Sequence, residues 1–311
     1  MPDEVAAFPA RMTARAAGRR GRPLGARIDW AGYVLIAFFA VPFLLFNIMP
    51  ILFGVYVSFT EWSIIGEPRL VGFENYKEAL HDPWLRIAFA NVLWYSAIIV
   101  PGVAVLGLAS ALYVNQGWPL AALARTILFT PNVVSATVIG LVWVWVLDTR
   151  FGVLNHYLGY VGIAPIPWLS SPRFALYGVS IASIWWDMGL AFVLFLAALQ
   201  DVPKELYEAA AIDGAGRLRQ LLAITLPHIR PAISMVVTLQ IISTMRIFSQ
   251  VYVMTNGGPA GSSLSVIKHI YDTAITRNIL GYASAISVLL FLAILAVTLL
   301  QRLFLREVAR G

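Results

Sequence analysis

Residues 31–59 read AGYVLIAFFAVPFLLFNIMPILFGVYVSF, without a lysine, arginine, aspartate, glutamate or histidine. Crossing a bilayer takes about 20 apolar residues in a helix, so this run is long enough to span one. Pro42 and Pro50 interrupt it, which predicts a tilted or kinked span. Working outward, three further uncharged runs qualify, Ile87–Val114, Thr126–Leu147 and Ile279–Gln301. Two more qualify with a single internal charge, Phe174–Gln200 with Asp187 and Pro231–Asn256 with Arg246. Six spans are therefore expected. Composition agrees, since 59% of the chain is hydrophobic and 12% charged, against about a quarter charged in soluble domains.

Lysine and arginine counts orient the spans. With the N-terminus in the cytoplasm, the inner side receives Arg11, Arg15, Arg19, Arg20, Arg22 and Arg27. Arg125, Lys204, Arg217, Arg219, Arg230, Arg302, Arg306 and Arg310 fall on the same side. The outer side holds Arg69, Lys77, Arg86, Arg150, Arg173, Lys268 and Arg277. Fourteen against seven places both termini inside. The expected fold class is thus an all-α integral membrane protein of six transmembrane helices, N-in and C-in. Residues 1–28 read as a disordered basic cytoplasmic tail, and residues 29–311 as the membrane domain. A signal peptide is the competing reading of the basic start, but the apolar run is too long and no small-residue cleavage site follows. Trp62, Trp84, Trp118 and Trp168 near span ends fit interfacial anchoring.

The net charge of +6 is sorted by membrane side and forms no patch, so nucleic acid is not an expected partner. There is no cysteine, and His81, His156, His228 and His269 are widely separated. A thiol nucleophile is excluded and a metal site is not expected.

The loop between the fourth and fifth expected spans, about 201–230, opens with Asp201-Val-Pro-Lys-Glu-Leu-Tyr-Glu-Ala-Ala-Ala-Ile-Asp-Gly. It reads as a short helix. Asp201 can cap it, Pro203 suits its first turn, Glu205 favours the positive dipole end and Gly214 can end it in a left-handed cap. Ala210 and Gly214 leave one face almost without side-chain bulk, while Leu206 and Ile212 add apolar contacts. Composition alone favours a loop helix packed on its own bundle.

Glu208-Ala209-Ala210, Gly214 and then Ile224-Thr225-Leu226-Pro227 resemble the EAA loop of bacterial ABC importer permeases. Leu70–Tyr76, Arg125–Pro131, Gly140–Trp143, Gly152–Asn155 and Met254–Pro259 agree in order with the carbohydrate and glycerol-phosphate branch, on its maltose-permease-like side. The resemblance covers nearly all of the chain after the tail. It implies a coupling helix docking on an ATPase, with Glu208, Ala209, Ala210, Asp213 and Gly214 at the contact. It further implies a multi-pass protein of the bacterial inner membrane, a second homologous permease, a dimer of ATPase subunits and an extracytoplasmic solute-binding protein. The cargo would be a sugar, an oligosaccharide or a related polyol or glycerol phosphate. ATP and magnesium would belong to the ATPase, with no cofactor in this chain. The sequence itself has no G-x-x-x-x-G-K-[ST] phosphate loop and no G-x-S-x-G elbow.

A charge at mid-membrane marks a pathway or a buried pair. At about 1.5 Å per residue, Asp187 and Arg246 fall at similar depth on spans running in opposite directions. They read as a structural salt bridge, as a polar site on the solute path, or, for Arg246, as an interfacial residue. In the permeases that this chain resembles the solute contacts the spans on either side of the EAA loop, so the path reading takes in Trp185, Asp187, Gln240, Thr244 and Arg246. In place of a permease, a self-contained secondary transporter or channel would usually need more spans or paired carboxylates. A membrane enzyme would need clustered acid, base or metal ligands.

Overall fold

In the computed structural model, residues 30–63, 66–117 and 120–308 are described. The basic tail at 1–28 and Trp118 lie outside them. The chain divides into two units, residues 1–52 and 53–311.

The first unit carries α1 (Trp30–Phe43), a π-turn (Leu44–Ile48) and the start of α2 (Met49–Val57). Together they make the apolar helix Gly32–Val57. The π-turn answers Pro50. A proline has no N–H and its ring collides with the carbonyl four residues back. Bonding from Met49 N–H to Leu44 O opens the turn ahead of it. A second π-turn, Leu221–Thr225, precedes Pro227 in the same register.

In the second unit a two-residue antiparallel pair, β1 (Thr60–Glu61) with β2 (Arg69–Leu70), leads to α3 (Glu74–His81) and the 33-residue α4 (Pro83–Asn115). α4 is the mast of the bundle. Tyr95, Ile99 and Val103 pack with Ala182, Phe192 and Phe195 of α8 (Ala175–Gln200) in one core. On another face Leu85, Ala88 and Val92 pack with Tyr282, Ile286 and Leu290 of the last helix. α4 and α8 approach closely because Gly107 has no side chain, and a Cβ there would lie 2.9 Å from Ala191 Cβ.

The third expected span is two helices, α5 (Ala121–Val133) and α6 (Ala136–Val146), bent by 104°. Trp186 donates its indole N–H to Val134 O at 3.0 Å, and so satisfies a carbonyl freed at the bend. Gly189 admits the α5 backbone, since a Cβ there would meet Leu128 O at 2.7 Å. α7 (Val153–Tyr160) follows outside the bend. Trp168, expected as an interfacial anchor, is held inward, its indole N–H donated to Asn155 Oδ1 at 3.0 Å.

Beyond α8 come α9 (Lys204–Ile212), α10 (Arg217–Gln220), α11 (Leu226–His228) and α12 (Arg230–Met245). The stretch Arg217–His228 meets Arg230–Met245 at 67°. The fifth expected span, drawn from Pro231 to Asn256, stops at Arg246 and resumes as α13 (Ser249–Met254). α14 (Val266–Tyr271) and α15 (Leu280–Val308) complete the chain. Among the described residues four helices are long and apolar enough to cross a membrane, and six if each bent pair is one span.

The end of the bundle at β1 and α3 is tied by side chains. Asn75 donates to Ser58 O and Thr60 O, both at 2.9 Å. Asp82 caps α4 through the Trp84 N–H and accepts Tyr282 Oη at 2.8 Å; its Oδ2 also lies 3.0 Å from His269 Nε2. Asn91 and Tyr95 hold the carbonyls of Gly261, Leu264 and Ser263 in the loop after α13.

Candidate functional site

Two places in the second unit carry the residues singled out above. The first is a cavity of about 400 Å³ at the break between α12 and α13. The backbone leaves helix at Arg246 (φ −104°, ψ 15°) and re-enters after Phe248 (φ −139°, ψ −61°). Such a break frees backbone groups, which membrane proteins tolerate where irregular backbone lines a cavity or is covered by protein. Ser183, Trp186 and Asp187 of α8 line one side. Ser243 and Thr244, Arg246 at the break, and Phe248, Ser249 and Gln250 line another. A carboxylate, a guanidinium, three serine hydroxyls and two aromatic rings thus share one space.

Of the five residues expected on the path, Asp187, Thr244 and Arg246 border this cavity; Trp185 and Gln240 do not. Trp185 turns toward α6, its ring edge-on to Trp143 at 5.9 Å. Successive helix positions point about 100° apart, so Trp186 and Trp185 cannot face the same way. Gln240 is buried beside the cavity wall, its Oε1 without a hydrogen-bond partner among the described residues. Thr244 is occupied by its own helix, donating to Gln240 O at 2.6 Å.

Of the three readings of Asp187 and Arg246, the structural salt bridge is not formed. Both side chains border the cavity, yet no ion pair within 4.0 Å joins them among the described residues. Phe248, Ser249 and Gln250 were not anticipated. The available signal was Arg246 itself, because a charge within an otherwise uncharged span marks a pathway or a buried pair.

The second place is the loop from Asp201 to Arg230. Its helix α9 begins at Lys204, with Pro203 as the flanking cap residue and no side-chain cap bond. Asp201 instead closes α8. The expected roles of Asp201 as cap and Pro203 in the first turn are both displaced, because Pro203 (φ −58°, ψ 131°) sits in the extended region. The C-terminal end follows the expectation. Gly214 has φ +74°, Ala215 N–H bonds Ala210 O at 2.8 Å and Gly214 N–H bonds Ala211 O at 3.1 Å. This is the paired bond pattern of a Schellman cap.

Glu208, Ala209, Asp213 and Gly214 are exposed, and Ala210 is half-buried. A Cβ at Gly214 would meet nothing within 4 Å, so the glycine answers to backbone conformation and not to internal crowding. Ile212 and Leu218 are exposed apolar residues on the same loop, at 87% and 69%. The loop is fastened from beneath. Tyr207 Oη and Thr225 Oγ1 are hydrogen-bonded at 2.9 Å, Gln220 donates to Ala215 O at 3.0 Å, and Val202 and Ile229 are buried. Among the described residues no group of three or more His, Cys, Asp or Glu could hold a metal ion.

Comparison with known proteins bears on both places. Residues 103–310, from mid-α4 through α15, match the family described as "Binding-protein-dependent transport system inner membrane component". The probable ABC transporter permease protein YurN of Bacillus subtilis is 32% identical over 275 residues, 86% of this chain and 93% of that one. The sulfoquinovosyl glycerol transport system permease protein SmoG of Agrobacterium fabrum is 33% identical over 271 residues, 85% of this chain and 87% of that one. The fold resembles a chain in the crystal structure of a bacterial alginate ABC transporter in complex with alginate pentasaccharide-bound periplasmic protein. That likeness has a TM-score of 0.78 over 91% of this chain and 96% of the other, at 21% identity. With two thirds of its length inside the family match, its apolar helices broken at bends and its loop built on Glu208–Pro227, the chain belongs to the inner membrane components of binding-protein-dependent transport systems.

Proposed function

We propose that this chain is one half of the pore of an ATP-driven importer and carries a saccharide delivered by an extracytoplasmic solute-binding protein. The observation that carries the reading is the cavity at the Arg246 break. Its serine hydroxyls, Asp187, Arg246 and the rings of Trp186 and Phe248 suit a hydroxylated ring with apolar C–H faces. Two similar proteins are named or titled for saccharide ligands, sulfoquinovosyl glycerol for one and alginate for the other. A second permease subunit would close the cavity from its open side.

In this reading the protein has six spans, counting each bent pair as one, with both ends in the cytoplasm. Residues 29–311 form the permease domain, and the basic tail at 1–28 precedes it. The loop 201–230 then faces an ATPase dimer, which binds ATP and magnesium and performs all hydrolysis. Glu208, Ala209, Ala210, Asp213 and Gly214 make or permit the docking, and Asp187, Thr244 and Arg246 border the path. The exposure of Glu208 and Ala209 on α9, and of Asp213 and Gly214 just after it, supports the first role, and the lack of an internal ion pair supports the second.

The test is ATPase stimulation of the reconstituted complex by its binding protein and a panel of saccharides. Stimulation by one saccharide class, lost in Arg246→Gln and Asp187→Asn chains that still assemble, is the expected result. Transport that persists with no ATPase subunit present would point to a self-contained transporter. Restoration of assembly by the double swap Asp187→Arg with Arg246→Asp would favour a structural pair over a solute path.

A further inference from the structure

The segment between α6 and α8 has an exposed surface that belongs neither to the cavity at Arg246 nor to the α9 loop. From Phe151 to Pro172 there is no lysine, arginine, aspartate or glutamate, and Arg150 and Arg173 bracket the run. A loop facing water over that length would carry charge. The inward face of its helix α7 is accounted for. Leu154 packs against the main core, and Asn155 is buried, donating to Ile166 O at 2.9 Å while accepting the Ile166 and Trp168 N–H groups. The outward face is Val153, His156, Tyr157 and Tyr160. Tyr157 and Tyr160 are 65% and 75% exposed, and Val161 beyond them is 72% exposed.

This face adjoins the exposed apolar row of a helix that, with α5, is long and apolar enough to make a span. Val138, Leu141, Val142 and Trp145 are exposed on α6, and the Trp145 ring meets the Phe151 ring edge-on at 6.1 Å. Asp148 and Arg150 lie in the turn between the two helices, and the ring contact carries the exposed apolar surface of α6 past them to the start of α7. Tyrosine, with an apolar ring and a polar tip, is enriched where hydrocarbon gives way to headgroups. A protein interface of this size would ordinarily carry a mixed polar rim, whereas the run here is flanked by two cations, which suit lipid phosphates.

We propose that α7 lies along the membrane boundary as an interfacial helix, its Tyr157–Tyr160 face seated among lipid headgroups and the upper acyl carbons. The inference rests on the membrane-spanning family and not on the proposed cargo, so a failed saccharide assay leaves it standing. The occupant is a phospholipid surface.

Two measurements test it. The wild-type complex, in vesicles of a phosphatidylcholine bearing a diazirine near the glycerol, is photolysed and its peptides are mapped. Label on residues 151–163 comparable to that on 136–146 is expected; label on 136–146 with none on 151–163 overturns the proposal. The chain has no cysteine, so a nitroxide on Tyr157→Cys or Tyr160→Cys reports on that position alone. Collision with oxygen should exceed collision with an aqueous nickel chelate by about threefold or more at both positions. Glu78→Cys, on the charged face of α3, should show the reverse. Nickel dominance at 157 and 160 overturns the proposal. Exclusion of both reagents once all partner subunits are present would give the face to a protein, and overturns it too.

Discussion

The loop around α9 and the junction around Asp82 dispose of their polar groups in opposite ways. On the loop, Glu208, Asp213, Arg217 and Arg219 are exposed, and no ion pair among the described residues uses them. At the junction, Asp82 is in contact with a backbone amide, a tyrosine and a histidine drawn from three helices. Lys268, 3% exposed, is clasped by both oxygens of Asp272 at 2.6 Å. A polar group bonded inside the chain holds the chain's own geometry. One left open on a short, firmly fastened helix is available to something else. The contrast predicts that substitutions at the junction change stability, whereas those on the loop change partnership.

The severest challenge to the junction is Gly281→Ala. Its Cβ would collide with the Thr60 carbonyl, a backbone atom that cannot swing away. Overpacking of this kind costs about 3 kcal/mol, and loss of membrane-inserted protein or a sharply lowered Tm in detergent is expected. Next comes Asp82→Ala, which removes a helix cap and leaves Tyr282 and His269 without their acceptor. A loss of about 2 kcal/mol is expected, read from the same melting curves.

The loop should respond differently. Gly214→Val must hold a branched side chain at φ +74°, which costs about 1–2 kcal/mol locally, and co-purification with the ATPase should fall away. Glu208→Ala should leave Tm almost unchanged, within about 0.5 kcal/mol, and lower stimulated ATPase activity about tenfold, or 1.4 kcal/mol of coupling. A Glu208 variant that melts early with intact coupling would erase the distinction between the two regions.

The smallest effect is in pH. Burial raises the Asp82 pKa, but hydrogen bonds from Tyr282, the Trp84 amide and His269, with the nearby His269 charge, hold it on balance below the ordinary carboxylate value. A depressed folded-state pKa contributes stability that is full above the unfolded value and fades as pH falls through the folded one. The gap in Tm between the wild type and Asp82→Asn should therefore be fully present at about pH 5 and narrow below about pH 4.

What could be read from the sequence follows the same division. The α9 loop is local. Its helix, its left-handed glycine and its small face depend on neighbours within a dozen residues, and the left-handed cap at Gly214 is where the spacing predicts it. Long apolar runs such as Ile87–Val114 are local too, and α4 covers that one. The bends were less visible. Nothing near Val134 announces that an indole from Trp186, 52 positions away, will take its carbonyl. Arg246 is the one charged residue between Pro231 and Asn256, so counting residues ran one span through it. Trp185 was expected on the path, whereas the rotation of α8 brings its neighbour Trp186 to the cavity instead. The Asp82 junction joins residues up to 200 positions apart, and no periodicity carries that information.

The bond between Tyr207 and Thr225 has a mechanical meaning. Thr225 stands just before Pro227 and the foot of α12, while Arg246 and the cavity stand at its head. Sixteen helical residues are about 24 Å long, so a tilt of about 10° delivered at the foot sweeps the head by about 4 Å. That displacement is comparable to the width of a sugar hydroxyl's hydrogen-bonding shell. On the proposed function, a stiff rod pushed at its foot and broken at its head would convert a small push into a change of grip.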